Sequence, residues 1–285
     1  MNDLVVKHNA LINASYMLNL VEQRLILLAI VDARRSGRGI TANDPLTIAA
    51  SDYMHQFDTD KNTAYDALKS ASDTLFNRYF TYQDKNKNGN IENVKARWVS
   101  EIRYIDNEAS VKLIFSSTTI PLITELENRF TQYAIEQISG LSSTYAVRLY
   151  ELLIQWRSKL ETPVFEIHEF REKLGIVKSE YKLMSDFKRR VLDSATDQIN
   201  ERTDIIAKYQ QHKAGRKITG FSFTFKFKKK PESKKLTTKA VYTRADLDKN
   251  PTLAYPGESH EQALARLNAR HSKLGAKEEQ TEIDI

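Results

Sequence analysis

The stretch from residue 164 to residue 227 constrains the fold of this chain more strongly than any other. Residues 168–174 can form two helical turns, which Gly175 can end. Residues 184–201 carry apolar side chains at helical spacing. One face of that predicted helix consists of Met184, Phe187, Val191, Ala195 and Ile199. The pattern therefore predicts two successive helices separated by a short turn.

A predicted β-hairpin follows these helices. Two β-rich runs, residues 204–209 and 217–227, are joined by a basic segment at residues 212–216. A proline-led short strand at residues 163–167 precedes the first helix. A strand, two helices and a hairpin with a basic tip are typical of a winged helix, whose second helix lies in a DNA major groove.

Positive charge is concentrated near this predicted hairpin. The chain has a net charge of +6, but residues 202–244 contain 13 Lys and Arg against two acidic residues. That segment carries +11, so the remainder of the chain carries −5. A basic block on a mildly acidic protein indicates a polyanionic partner, because neutralised phosphates release counterions. The alternative is a basic tail that is only solvated.

The first half of the chain repeats this order of elements. A helix is predicted at residues 19–35, followed by a proline-led strand at 44–49 and a short helix through Phe57. Asp60 is expected to cap a helix over residues 61–79. The strands predicted after it are residues 80–83, 96–104 and 111–115, with a turn at residues 84–90. Element order and spacing therefore indicate a second winged helix.

We predict an α+β chain with two tandem winged-helix domains followed by a disordered basic tail. The first domain is assigned to residues 1–117, the second to residues 118–230 and the tail to residues 231–285. A linking helix is expected at residues 120–126, and a helix at residues 142–158 opens the second domain. The tail is too polar to bury enough apolar surface to offset its ordering entropy. A single larger mixed domain is the alternative.

The predicted helix at residues 184–201 carries the strongest candidates for DNA contact. Arginine pairs with guanine O6 and N7 in the major groove, and a carboxylate can orient an arginine or accept from cytosine N4. The candidates on and just before this helix are Lys182, Asp186, Lys188, Arg189, Arg190 and Asp193. An exposed helix with mixed charges and no DNA partner is the alternative.

Further candidates lie on the hairpins and on the first-half helix. The basic hairpin tip, Lys213, Arg216 and Lys217, is expected to follow the DNA backbone or to enter a minor groove. The weaker candidates of the first half are Lys61, Asn62, Tyr65, Lys69, Lys85 and Lys87. Because its helix has few cations, this half is expected to touch DNA lightly or mainly to hold a second copy of the protein.

Enzyme signatures do not rise above background in this sequence. The absence of cysteine excludes disulfides, thiolate zinc sites and cysteine nucleophiles. The histidines show no close pair for a catalytic metal, and the glycine spacing at residues 215–220 lacks the Lys-Ser/Thr of a phosphate loop. We therefore expect no catalytic residue, no metal and no cofactor. No secretion signal or bilayer-spanning run is apparent, which predicts a cytoplasmic protein without membrane contact.

Four segments carry a resemblance to a known family. They are LVVKHNALINASY at residues 4–16, LVEQRLILLA at 20–29, EQISGLSSTYAVRLYELL at 136–153 and KAGRKITGFSF at 213–223. These strings resemble plasmid replication initiators of the iteron-binding initiator replication protein (Rep) family, in its small-plasmid bacterial branch. The resemblance covers residues 3–230 and leaves the tail outside it.

The resemblance implies two winged-helix domains that bind repeated double-stranded DNA sites, called iterons, at a plasmid origin. It implies no catalytic activity. Monomers are expected to bind iterons, to open a nearby AT-rich region and to help recruit the host initiator and the replicative helicase. Homodimers are expected to repress, with the first domain supplying the dimer contact. By that analogy the helix at residues 184–201 reads the major groove, and the helix at residues 61–79 meets the adjoining part of the site.

Two other functions are compatible with the residues. A transcription repressor with the same folds has no feature that separates it from an initiator. A strand-nicking initiator enzyme would use one of the 13 tyrosines as its nucleophile. Tyr104, Tyr145 and Tyr150 lie in apolar contexts that are typical of core residues, which argues against that role for them.

Overall fold

A computed structural model describes residues 3–41, 43–124, 129–229, 243–249, 259–266 and 268. The chain forms two compact units, Met1–Lys228 and Lys229–Ile285. The strands described in the larger unit are β1 (Leu4–His8), β2 (Ser15–Tyr16), β3 (Leu46–Ala49), β4 (Tyr79–Lys85), β5 (Ile91–Arg97), β6 (Val99–Ile105), β7 (Ser110–Phe115), β8 (Phe130–Ala134), β9 (Phe165–Glu166), β10 (Ile205–Ala214) and β11 (Lys217–Phe227).

The helices of the larger unit alternate with these strands. They are α1 (Asn9–Asn13), α2 (Leu20–Ser36), α3 (Ala50–Phe57), α4 (Lys61–Leu75), α5 (Thr119–Thr124), α6 (Glu136–Ser139), α7 (Thr144–Ile154), α8 (Ile167–Lys173), α9 (Met184–Phe187) and α10 (Ser194–Arg202). A π-helical turn, Lys188–Asp193, joins α9 to α10 without a break. Residues 184–202 are therefore one helix, called here the α9–α10 helix.

Helix α2 forms the centre of the first half. Its N-terminus has a capping box, in which Asn19 Oδ1 accepts from the Glu22 amide at 2.8 Å and Glu22 Oε2 accepts from the Asn19 amide at 2.7 Å. Gly37 ends the helix in the left-handed conformation. The helix packs against β1, β3 and α4, so it is covered on several sides as its nearly continuous apolar sequence predicts.

The remaining elements of the first half have the order of a winged helix. Strands β3, β7 and β6 form an antiparallel sheet in that order, and α4 packs on both β6 and β7. Asp60 caps α4, as predicted, by accepting from the Thr63 amide at 3.0 Å. The buried side of α4 consists of Ala64, Leu68, Ala71 and Leu75.

The predicted single strand at residues 96–104 is wrong, because residues 91–105 form two strands that belong to two different hairpins. Strand β4 pairs with β5 and joins β2, whereas β6 pairs with β7 and joins β3. The change of sheet falls at Trp98, which is buried and packs against Tyr16 and Phe80 at ring distances of 5.0 and 4.9 Å. A buried tryptophan between two sheets interrupts the alternation of a single strand.

Helix α4 also ends earlier than predicted. It stops at Leu75 instead of residue 79, because Tyr79 already begins β4. The guanidinium of Arg97 donates to the carbonyl of Phe76 and to Asn77 Oδ1, so a side chain from β5 satisfies an acceptor that the helix leaves open at its end.

The second half is a compact winged helix with an aromatic core. Strands β10, β11 and β9 form an antiparallel sheet in that order. The aromatic side chains packed between this sheet and the helices include Phe165, Phe170, Phe187, Phe221 and Phe223. The predicted strand at residues 163–167 is reduced to β9, because Pro163 and Val164 pair with no strand in the described part of the chain.

The hairpin of the second half is tighter than predicted. The predicted five-residue link at 212–216 shortens to Gly215 and Arg216, since residues 212–214 belong to β10. Gly215 has a φ of 62°, which a two-residue hairpin turn requires. The predicted helix at 142–158 is α7, and the predicted linking helix at 120–126 is α5 as far as residue 124, beyond which residues 125–128 lie outside the described part.

Two strands that the sequence pattern did not predict connect the halves. Strand β1 pairs antiparallel with β8, from Leu4 opposite Ala134 to His8 opposite Phe130. This pairing crosses the predicted boundary between residues 117 and 118. The division into domains 1–117 and 118–230 stays a prediction.

A buried carboxylate on α7 lies at the same junction. Glu151 accepts from Lys7 Nζ at 2.7 Å, from Arg148 Nη1 at 2.8 Å and from the Tyr133 hydroxyl at 2.6 Å. Both Glu151 and Arg148 are 1% exposed. Burial alone would raise the pKa of Glu151, but Lys7 and Arg148 outweigh burial and hold that pKa at about 2.

Arg148 connects this cluster to both halves of the larger unit. Its Nη2 donates to the carbonyls of Ile12 and Ala14 at 2.9 and 3.0 Å, and its Nε donates to the carbonyl of Lys173 at 3.0 Å. One guanidinium therefore connects the N-terminal segment with the end of α8. Gly175 lies beside this contact, and a side chain there would meet the Tyr16 carbonyl at 2.4 Å.

The predicted tail, residues 231–285, lies largely outside the described residues. Within the described part of the smaller unit, helix α11 spans Arg244–Lys249 and residues 260–266 are helical. Leu247 and Ala263 are buried. The prediction of a disordered tail stays a prediction for the rest of this segment.

We predict that Glu151→Gln lowers the free energy of unfolding by about 3–5 kcal/mol at neutral pH, because it leaves Lys7 and Arg148 buried without a negative partner. The pKa of Glu151 is lowered on folding, so its contribution is present above the unfolded-state pKa and is lost as the carboxylate is protonated. The difference between parent and variant should therefore shrink as the pH falls from about 4.5 to about 2. Urea titrations of both proteins at several pH values measure this difference in the free energy of unfolding.

The control for this prediction is Glu172→Gln on the exposed side of α8. It should change the free energy of unfolding by less than about 0.5 kcal/mol at every pH. A difference between parent and Glu151→Gln that stays constant over the acidic range would contradict the assignment.

Candidate nucleic-acid interface

The α9–α10 helix presents one apolar face and one basic face. Its buried side consists of Phe187, Val191, Leu192, Ala195 and Ile199. On the opposite side the side chains of Arg189 and Arg190 are 70% and 62% exposed. The core fixes the rotation of the helix about its axis, so both arginines are presented to solvent together.

Asp186 organises these two arginines. Its Oδ1 accepts from Arg189 Nη2 at 3.1 Å and lies 3.6 Å from Arg190 Nε. Exposed ion pairs of this kind contribute only about 0.2–1 kcal/mol, so either guanidinium can leave the carboxylate for a phosphate or a guanine edge. Of the two roles predicted for Asp186, the geometry favours the orientation of arginine.

The π-helical turn lies where these arginines project. Adjacent residues Val191 and Leu192 are both fully buried, although Leu192 lies outside the regular α-helical stripe that contains Phe187, Val191 and Ala195. The wider turn lets both side chains face the core. Leu192 was missing from the predicted apolar face, although an extra leucine next to Val191 was a visible departure from helical spacing.

Two other predicted contact residues tie the helix to the hairpin. The Tyr209 hydroxyl donates to Asp193 Oδ1 at 2.6 Å, and Lys188 Nζ donates to Gln211 Oε1 at 3.3 Å. Burial, together with the hydrogen bond to Asp193, raises the pKa of Tyr209. Asp193 and Lys188 thus fix the α9–α10 helix relative to β10, and their contact with DNA stays a prediction.

The hairpin tip presents its cations at the end of two long strands. Lys213, Arg216 and Lys217 are all exposed, and Lys217 lies opposite Ala214 at the last pair of the ladder. A shift of register between His212 and Lys213 marks a bulge near the tip. The structure therefore places the predicted basic tip beyond the body of the sheet, on the same winged helix as the arginine pair.

Arg171 on α8 is a further residue of this region, which sequence reasoning missed. It donates to the carbonyls of Glu180 and Tyr181 at 2.5 and 3.2 Å, and its guanidinium lies 5.1 Å from the centre of the Phe187 ring. It therefore holds the turn that leads into the α9–α10 helix and that carries the exposed Lys182. An arginine near a helix end followed by a long polar turn was the only sequence signal.

The first-half candidates form two separate groups. On α4, Tyr65 and Lys69 both contact Asp106 Oδ1, at 3.2 and 3.3 Å, while Lys61 and Asn62 are exposed at the start of the helix. Lys85 and Lys87 are exposed on the β4–β5 hairpin, which belongs to a different sheet. The turn between β6 and β7 is acidic, with Asp106 and Glu108, unlike the basic tip of the second half.

Two further properties of the described residues concern metal binding and membrane crossing. Among the described residues, no group of three or more His, Cys, Asp or Glu side chains is arranged to hold a metal ion. No described helix combines the length and the apolar character that crossing a membrane requires.

Comparison with known families matches both halves of the chain. The model described as "Initiator Replication protein, WH1" matches residues 4–154, and "Initiator Rep protein, WH2" matches residues 166–225. The first match alone spans more than half of the chain. The chain belongs to the initiator replication protein family. The predicted family and the two tandem winged helices of this initiator are confirmed.

Two curated relatives of this initiator come from Escherichia coli. An uncharacterized 27.6 kDa protein is 24% identical over 223 residues, covering 74% of this chain and 91% of the relative. The PI protein is 29% identical over 140 residues, covering 44% of this chain and 46% of the relative.

Solved structures are also similar to this initiator. The Pi initiator protein in complex with iteron DNA has a TM-score of 0.66 at 22% identity, over 80% of this chain and 99% of that chain, which shows the fold. The WH1 domain of the replication protein MSBI1.176 is 54% identical over 39% of this chain and 81% of that chain, with a TM-score of 0.33.

We predict that Arg189→Ala with Arg190→Ala weakens binding to specific duplex DNA by about 1–3 kcal/mol for each lost base contact. The matched control is Arg34→Ala with Arg35→Ala, an exposed pair on α2 in which Arg35 contacts Asp32 at 3.1 Å, as Arg189 contacts Asp186. Fluorescence anisotropy at one fixed salt concentration measures the DNA affinity of both double variants. Equal losses in the two double variants would contradict the assignment of the helix.

The hairpin tip should act through phosphates instead of bases. Lys213→Ala with Lys217→Ala should weaken binding to all sequences alike and reduce the slope of log K against log salt by about 1 per lost contact. Lys208→Ala, exposed on β10 away from the tip, is the control and should leave the slope unchanged. Titrations at four salt concentrations give the slopes, and an unchanged slope in the tip variant would remove the tip from the interface.

Proposed function

We propose that this protein initiates plasmid replication by binding double-stranded iteron DNA at the origin in a sequence-specific manner. The observation that carries the proposal is the exposed pair Arg189 and Arg190 on the outer face of the α9–α10 helix, beside a basic hairpin, in a chain of the initiator replication protein family. The solved Pi initiator protein, which has the same fold, is bound to iteron DNA, and this supports the proposal.

The second half supplies the two kinds of contact that a specific site requires. An α-helix about 10–12 Å wide fits a major groove about 12 Å wide, so the arginines can reach base edges. The cations at the hairpin tip contact the backbone and set the register of the helix on the duplex. Base contacts then determine which sequence is bound, and phosphate contacts determine much of the affinity and its dependence on salt.

The first half is proposed to contribute less to DNA binding. Lys69 and Tyr65 share Asp106, and the β6–β7 turn adds Glu108, so this winged helix presents a mixed surface instead of a basic one. Lys61, Asn62, Lys85 and Lys87 remain available for contacts with the adjoining part of the site. The resemblance supports a role for this half as the contact between two copies in a repressing homodimer.

Initiation itself is proposed to use binding energy and no chemical step. Binding at successive iterons opens a nearby AT-rich region, and the protein then helps to recruit the host initiator and the replicative helicase. These partners rest on the family resemblance. The proposal assigns no catalytic residue, no metal and no cofactor.

Replication assays with the DNA that flanks the gene test the proposal. A plasmid with this DNA and no other replication gene should be maintained when the gene is intact and lost when it encodes Arg189→Ala with Arg190→Ala. The Arg34→Ala with Arg35→Ala protein should support maintenance. Footprinting should show protection over repeated sequences, and permanganate should reveal unpaired thymines nearby.

Other experimental outcomes would indicate one of the two alternative functions, a transcription repressor or a nicking enzyme. Protection without plasmid maintenance would indicate a repressor. Relaxation of supercoiled origin DNA by the pure protein with a divalent metal, or a covalent tyrosine–DNA adduct, would indicate a nicking enzyme.

A further inference from the structure

Leu183 has the largest exposed fraction among the large hydrophobic side chains of the described residues. It is 65% exposed and lies immediately before α9, and the nearby residues Lys182 and Ser185 are exposed as well. Single exposed leucines are common on protein surfaces and need no special explanation. The position of this one in the helix is what distinguishes it.

Leu183 occupies the N-cap of the α9–α10 helix. Its carbonyl accepts from the Phe187 amide at 3.0 Å, but its side chain makes no capping hydrogen bond. Serine, threonine, aspartate and asparagine are strongly preferred at this position, because their side chains satisfy amides of the first turn. The sequence therefore has a leucine that buries little surface at a position where a polar residue would stabilise the helix. A departure from the N-cap preference that brings no gain in stability indicates a functional role.

The surrounding structure holds Leu183 in a fixed place. Arg171 binds the carbonyls of Glu180 and Tyr181, and the Tyr181 ring packs edge-on against Tyr145 at 6.0 Å. Phe187, one turn into the helix, is fully buried. The turn is thus anchored on both sides of Leu183, which leaves its side chain projecting from the N-terminal end of the helix that also carries the exposed arginines.

We propose that Leu183 is a specificity-determining residue that contacts the 5-methyl group of a thymine in the major groove. The inference rests on the proposed sequence-specific binding by the α9–α10 helix. N-terminal residues of a recognition helix contact base edges, and the thymine methyl is the apolar group that the major groove displays. Arg189 and Arg190 read polar edges, whereas Leu183 distinguishes thymine from cytosine and from uracil.

Replacement of thymine by deoxyuridine tests this contact, because it removes only the methyl group. The probe is the duplex that the parent protein enriches from a random library, with each thymine replaced singly. The parent should bind one substituted duplex about fourfold more weakly, the ratio for one buried methyl group. Leu183→Ala should bind that duplex and the unsubstituted one equally well.

Two variants separate recognition from folding. Leu183→Ser introduces a preferred N-cap, so it should keep or raise the melting temperature while losing the discrimination between thymine and uracil. Ile40→Ala, an exposed apolar residue outside the predicted DNA contacts, should keep the full discrimination of the parent.

The possible failures are distinguishable. If the parent enriches no sequence, the proposed function fails and this inference fails with it. The inference is overturned, while the proposed function stands, if a sequence is enriched but no single uracil weakens binding of the parent. It is also overturned if Leu183→Ala binds the uracil-substituted duplex as weakly, relative to the unsubstituted one, as the parent does.

Discussion

The buried contact between Glu151 and the cations Lys7 and Arg148 holds the two halves of this protein in one arrangement. A buried charge without a partner costs more than the pair contributes, so alternative arrangements that separate these groups are strongly disfavoured. Arg148 also donates to the carbonyls of Ile12 and Lys173, from opposite halves of the chain. Helix α7, which carries both residues, contacts α1 and β8 as well as α10.

Through α7 the same core determines the orientation of the proposed DNA-reading surface. Helix α10 packs directly on α7, and the π-helical turn buries both Val191 and Leu192. Arg189 and Arg190 must then face outward. The buried interactions of the core fix the orientation of the α9–α10 helix. The ion pairs of Asp186 with the two arginines are exposed and weak, so the arginines can exchange them for contacts with DNA. This difference in strength suits a protein that acts by binding.

The two winged helices share an architecture but present different surfaces. In the second half, Asp193 and Lys188 connect the helix to a hairpin whose tip is basic. In the first half, the β6–β7 turn is acidic and engages Lys69 of α4, while the basic residues Lys85 and Lys87 lie on a separate hairpin. Element order alone therefore indicates a repeated fold. The distribution of charge indicates that the two winged helices have unequal roles in the proposed function.

Sequence by itself determined the parts that depend on neighbours in the chain: the capped helices α2 and α4, the outward-facing arginines and the basic-tipped β10–β11 hairpin. Helical spacing, capping and turn residues act over a few positions, so they can be read from one segment. Only the tertiary structure decided the β1–β8 pairing, the change of sheet at Trp98, the anchoring role of Arg171 and the Glu151 cluster. Lys7 and Glu151 are 144 residues apart in the chain, and no local pattern marks them as partners, because burial and pairing arise only when distant segments pack together.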